Sequence, residues 1–276
     1  MALTQERVRH PLAVRRVAVV DVDRSVPGMA CVTLGGPELA GFASDGPADH
    51  MKVFFPDPAT GVLVAPPTTA GGPASGEGGT PLARDFTPRS FNEGADGAPR
   101  LRIDFALHPD AGPASAWAAG AQPGDELVVA GPRGSKLLPE GMSRLLLVAD
   151  ESALPAAARW LERVPDGVPV EALFLVHDES VAAYLPPELE RRARAEWLPD
   201  TARPEEIEST VREMAEGADE RAFAFLAGEA TTLVPLRRLL RELLPDGREQ
   251  VSASGYWRRG VAGLDHHAPL DPDAGE

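Results

Sequence analysis

Short apolar–polar alternations broken by Gly, Pro and Asp fill the first half of the chain. Residues 15–23, 29–34, 51–55, 84–91, 101–107 and 126–130 each read as a strand. Six strands with turn residues between them predict a small antiparallel barrel. Residues 56–81 are heavy in Gly, Pro, Thr and Ser, and are expected to form a long mobile loop.

The second half changes period. A continuous apolar run over 144–149 is followed by Leu154, Ala157, Ala158, Leu161 and Val164 at helical spacing. Residues 170–176 and 221–227 read as further strands. A polar helix opens at Pro204, and Leu233, Leu236, Leu240, Leu243 and Leu244 trace another. Strand–helix alternation predicts an open, parallel, doubly wound sheet. The expected division is a barrel over 1–141, an α/β domain over 142–260 and an acidic, disordered tail over 261–276.

Composition narrows the chemistry. Cys31 is the only cysteine in 276 residues, so neither an internal disulfide nor a four-thiolate iron–sulfur cluster is available. It sits in an alternating run and reads as a small core hydrophobe. Redox work would therefore fall to a bound cofactor. The net charge of −15 and the isoelectric point of about 4.9 repel a phosphate backbone, which argues against nucleic acid. The longest apolar runs are too short to span a bilayer. The first twelve residues lack an apolar signal core, so a cytoplasmic protein is expected.

Several motifs carry candidate chemistry. Arg84-Asp85-Phe86-Thr87-Pro88-Arg89 lies on the fourth strand, where alternation would put Arg84, Phe86 and Pro88 on one face and Asp85, Thr87 and Arg89 on the other. Arg, an aromatic and Thr at that spacing can serve a flavin's diphosphate, ring and polar edge; a half-exposed edge strand would read the same way. Asp104-Phe105-Ala106-Leu107-His108 precedes Gly112-Pro113-Ala114-Ser115-Ala116-Trp117. The Gly-Pro turn predicts a helix start, a natural anion site, although many helices begin so. Asp150-Glu151-Ser152-Ala153 stands where the first α/β strand would meet its helix, and Gly228-Glu229 follows a later one. An ordinary helix cap explains the former equally well. Neither a Gly-x-Gly-x-x-Gly nor a Gly-x-x-x-x-Gly-Lys loop occurs. His266 and His267 supply too few ligands for a firm metal site.

Taken together, these strings resemble the ordered signatures of the siderophore-interacting protein family, within the ferredoxin-reductase superfamily, up to a final Gly255-Tyr256-Trp257-Arg258-Arg259-Gly260. Phe86 stands where the family usually has Tyr, and Ser152 where it has Thr. The resemblance implies an FAD-binding barrel and an NAD(P)H-binding α/β domain. FAD would be held by Arg84, Phe86, Thr87, Arg89, Asp104, Phe105, Leu107, His108, Gly112, Pro113, Ala114, Ser115 and Trp117. The flavin–nicotinamide junction would involve Asp150, Glu151, Ser152, Ala153, Gly228 and Glu229, beside Arg237 and Arg238. Lys52, Arg133 and Arg258 match a basic triad for a ferric siderophore.

The activity so implied is reduction of chelated Fe(III) with electrons from NADH or NADPH, with ferredoxin as an alternative donor. No resident metal site and no catalytic side chain is required. Acidic residues in His177-Asp178-Glu179 suit a ribose diol better than a 2′-phosphate, which favours NADH. Two other readings share the scaffold: a flavin reductase component serving an oxygenase, and an FAD-containing siderophore-binding protein without turnover.

Overall fold

A computed structural model describes residues 3–69, 79–108, 112–261, 263–264 and 269–271. His266 and His267 lie outside the described residues. The chain forms two compact units, Arg7–Leu137 and Met1–Glu6 with Leu138–Glu276.

In the first unit, β1 (Arg7–Arg9), β2 (Val14–Asp23), β3 (Met29–Gly35), β4 (Met51–Phe55) and β5 (Leu82–Phe86) are followed by β6 (Pro88–Glu93) and β7 (Pro99–Ala106). Helix α1 (Pro113–Gly120), β8 (Glu126–Ala130) and β9 (Gly134–Lys136) complete it. Seven strands form one antiparallel sheet in the order β5-β4-β8-β2-β3-β7-β6. The edge strands β5 and β6 are separated in the chain only by Thr87. One residue spans just a few ångströms, so the sheet must curl until its two edges meet there. The result is barrel-like. Inward residues such as Val17, Leu34, Phe55, Ile103 and Leu127 fill its core.

The strand expected over 84–91 is therefore two strands, which raises the count from six to seven. Pro88 offers no N–H to continue the ladder and keeps Thr87 out of helical geometry. The chain leaves β4 and pairs with β7 instead. The expected 56–81 loop is structured in its first part. Pro56 bridges Leu63, Leu63 and Ala65 pack near Phe54 and Val128, and the Thr69 N–H bonds Val14 O at 2.8 Å.

The second unit contains β10 (Arg144–Asp150), α2 (Leu154–Arg163), β11 (Val170–Val176), α3 (Pro187–Glu190) and β12 (Arg194–Pro199). It continues with α4 (Pro204–Ala215), β13 (Ala222–Glu229), α5 (Ala230–Leu243) and β14 (Val251–Trp257). Its sheet is wholly parallel, in the order β12-β11-β10-β13-β14. The two edge strands escape a hydrophobicity reading because β12 is charged and β14 is rich in Ser and Gly. Strand order reverses between β10 and β13, and in such sheets ligands bind at the carboxyl ends flanking that point. The expected tail is not uniformly free: Leu270 is buried with the α5 core, and Asp271 is buried against Arg237 and Arg238. No described helix is long and apolar enough to cross a membrane.

Candidate functional site

Thr87 sits at the corner where the barrel's edges meet, and only 6% of its surface is exposed. On its β5 side, Phe86 turns toward the core and meets Phe105 at 4.6 Å between ring centroids. Phe55 and Phe105 in turn contact Trp117 of α1 at 5.4 and 5.8 Å. This aromatic cluster joins the Thr87 corner to the helix, so residues distant in sequence form one patch. Arg84 is half-buried and donates to Ala83 O at 2.7 Å. Arg89 falls at a bulge between Pro88 and Ser90. Bulges re-aim side chains, so the simple alternation expected through Arg89 ends at Thr87.

Helix α1 begins at Pro113, just after an extended Gly112, with no side-chain cap and no acid in its first turn. Ser115 Oγ donates to Ala106 O at 3.1 Å and accepts the His108 N–H at 3.4 Å. The hydroxyl thus ties the helix start to the end of β7. Leu107 packs on the core, whereas His108 is exposed. Asp104 turns to the other side of β7, where its buried carboxylate takes Arg102 Nε at 2.6 Å. Burial pushes the Cys31 thiol opposite it up to about 12, and the Asp104 carboxylate adds to that. An uncapped, acid-free helix start offers backbone N–H groups to an anion. With Arg84, the buried Thr87 and an aromatic patch in the same unit, these residues fit a dinucleotide diphosphate and an adjoining flat ring.

Lys52 and Arg133 belong to the same unit. Lys52 lies across from Ala130, shortly before Arg133 in the chain, and Arg133 is exposed. Lys52 is not an isolated cation: its Nζ meets Asp85 Oδ2 across β4 and β5 at 2.9 Å. Sequence reading missed that partner, although its place in the Arg84 motif could have suggested it. It also missed the buried anchor of the Arg133 loop, in which Ser135 Oγ donates to Asp49 Oδ2 at 2.6 Å and approaches His10 Nε2 at 2.8 Å.

In the second unit Asp150 ends β10, and its buried carboxylate is a hub. Oδ1 accepts Ser152 N at 2.9 Å and Ser152 Oγ at 2.5 Å. Oδ2 accepts Glu229 N at 2.8 Å and Trp257 Nε1 at 2.7 Å. Burial pushes this carboxyl upward against the pull of those hydrogen bonds. Gly228, at φ 144°, leaves the space the carboxylate fills: a Cβ there would lie 2.6 Å from Asp150 Cγ. Ala153 is buried, and Glu151 accepts the His177 N–H. Glu229 caps α5 by accepting Thr232 N at 2.7 Å, and its other oxygen takes Arg259 N at 3.1 Å. Arg258 donates to Leu270 O at 3.4 Å. Asp178 is pulled below the usual carboxylate range by the Ser180 N–H. Arg237 and Arg238, expected near the nucleotide, both meet Asp271.

Both halves of the chain match family models. A siderophore-interacting FAD-binding domain covers residues 18–136, and a siderophore-interacting protein model covers 142–260. The NADPH-dependent ferric-chelate reductase of Escherichia coli K12 is 38% identical over 91% of this chain and 96% of its own. Ferric vibriobactin reductase ViuB of Vibrio cholerae is 31% identical over 83% of each chain. Among solved structures, a siderophore utilization protein from T. fusca superposes with a TM-score of 0.79 at 39% identity, over 96% of this chain and all of its own.

Proposed function

We propose that this chain, which belongs to the siderophore-interacting protein family, is an FAD-dependent ferric-siderophore reductase that takes electrons from NADH or NADPH. The observation that carries this reading is the Thr87 corner, joined by packed aromatics to the uncapped start of α1 inside the FAD-binding half. The barrel unit would hold FAD and the α/β unit the pyridine nucleotide.

Arg84 and the first-turn N–H groups after Gly112 would neutralise the diphosphate. Thr87 would lie beside the ring, with Phe86 and Trp117 supporting it from the core rather than offering hydroxyls. Bound FAD supplies the exchange between a two-electron donor and a one-electron acceptor. The side chains of this chain bind, orient and shield; none is asked to act as a nucleophile or base. At the switch point, Asp150 and Glu229 spend their carboxylates on protein N–H groups. Their segments would shape the nucleotide wall through backbone rather than charge. A cytoplasmic setting would suit the donor.

The iron chelate is the substrate. Lys52 and Arg133 in the first unit, and Arg258 in the second, are each proposed to receive anionic groups of the chelate on a molecule of net charge −15. Lys52→Ala combined with Arg133→Ala is expected to slow ferric-chelate reduction about tenfold or more while bound FAD is retained. A double variant that reduces the chelate at the parent rate would remove the docking role.

A further inference from the structure

Arg258 lies between two gripped neighbours. On one side, the Trp257 indole donates to Asp150 Oδ2 at 2.7 Å; on the other, the Arg259 backbone N–H reaches Glu229 Oε1 at 3.1 Å. The gripping carboxylates come from different strands, β10 and β13. They are themselves linked, because Asp150 Oδ2 also holds the Glu229 N–H at 2.8 Å.

The backbone shows the same construction. Register along β13 and β14 slips between Gly228 and Glu229, so that Gly228 faces Gly255 and Glu229 faces Trp257. Tyr256 is the extra residue. Such a bulge redirects the side chains that follow it, and here Trp257 is the next one. Gly228 lacks the Cβ that would strike the Asp150 carboxylate. Asp150 accepts four hydrogen bonds, which fills a carboxylate's usual capacity. It is a fixed anchor rather than a group waiting for a ligand.

We propose that Asp150 and Glu229 form a two-point clamp on Trp257 and Arg259, and that the clamp holds Arg258 in place to receive the anionic groups of a ferric chelate. Asp150, Glu229 and Trp257 are then positioning residues that act through Arg258. This rests on the docking role proposed above for Arg258. A long side chain on an anchored backbone loses less freedom when it meets its partner than one on a loose strand end.

The test uses the FAD-loaded protein with ferric dicitrate as the anionic chelate and menadione as an uncharged acceptor. Trp257→Phe keeps the ring and deletes the N–H. It is expected to raise KM for ferric dicitrate about fivefold, with kcat and menadione reduction within about twofold of the parent. Trp257→His places a ring nitrogen at the same position from Cγ and is expected to recover most of the loss. Combining Trp257→Phe with Arg258→Ala is expected to do no more than Arg258→Ala alone.

A parent-like chelate KM in Trp257→Phe, beside a raised one in Arg258→Ala, would overturn the clamp and leave docking intact. Equal losses toward both acceptors would overturn it too, since they would mark general damage. If Arg258→Ala itself leaves KM unchanged, docking and clamp fall together while the reductase reading stands. Should Trp257→Phe not fold, Trp257→Leu carries the same comparison, because it keeps an apolar side chain and likewise lacks the indole N–H that Asp150 accepts.

Discussion

Asp85 sets how much positive charge Lys52 can offer. The two side chains face each other across neighbouring strands at 2.9 Å, with the lysine 43% and the aspartate 19% exposed. A pair this open is worth little to stability, yet its field acts on any anion that approaches Lys52. Asp85→Asn is expected to lower KM for ferric dicitrate about two- to fivefold at low salt, with the gain fading at high salt. A KM unmoved at every ionic strength would place the chelate elsewhere. Lys52 was readable as a candidate and Asp85 stood in the neighbouring Arg84 motif, but their pairing was not readable, because it depends on cross-strand register. Gly228 gives a similar lesson. Its local string suggests room for a cofactor, whereas the space is taken by a carboxylate from Asp150, far away in the chain. Cys31 is the opposite case: alternation alone marks it as an inert, buried position, as its raised thiol agrees.

Helix α5 depends on Glu229 for its start. Partial burial works to raise this carboxyl, but N–H groups of Thr232 and Arg259 and nearby hydroxyls outweigh it, and the net direction is downward. A carboxylate lowered on folding adds stability above its ordinary value, and that stability is lost as pH falls through the lowered value. Glu229→Gln keeps an acceptor and removes the charge. It is expected to reduce Tm by about 1–3 °C at pH 7, and the difference should close as pH drops below about 4. A difference that persists in acid would mean that packing, not charge, is at work. Strands with strong apolar cores, such as β10 and β11, were legible from their composition. The edge strands β12 and β14 were not, because one face of an edge strand needs no apolar residues. The break at Thr87 was written in Pro88, but the change of pairing partner that follows is a long-range event.

The two units divide the task that the whole chain would perform. A curled antiparallel sheet offers a buried hydroxyl, an aromatic patch and a bare helix start, while a parallel sheet offers a switch point whose carboxylates are turned inward. Strand–helix alternation and turn spacing made both layouts legible. Hubs such as Asp150 were not, since they join strand ends that only the folded sheet brings together. An acidic molecule handling an anionic substrate needs cations placed where that substrate docks, and a ferric-chelate reductase must deliver electrons to iron. The direct measurement is an anaerobic titration of the purified, FAD-loaded protein with NADH or NADPH, followed by ferric dicitrate and an Fe(II)-trapping dye. The flavin absorbance is expected to bleach, then return on addition of the chelate with about two Fe(II) trapped per flavin. Flavin that bleaches but stays bleached in the presence of ferric dicitrate, with no Fe(II) trapped, would contradict it.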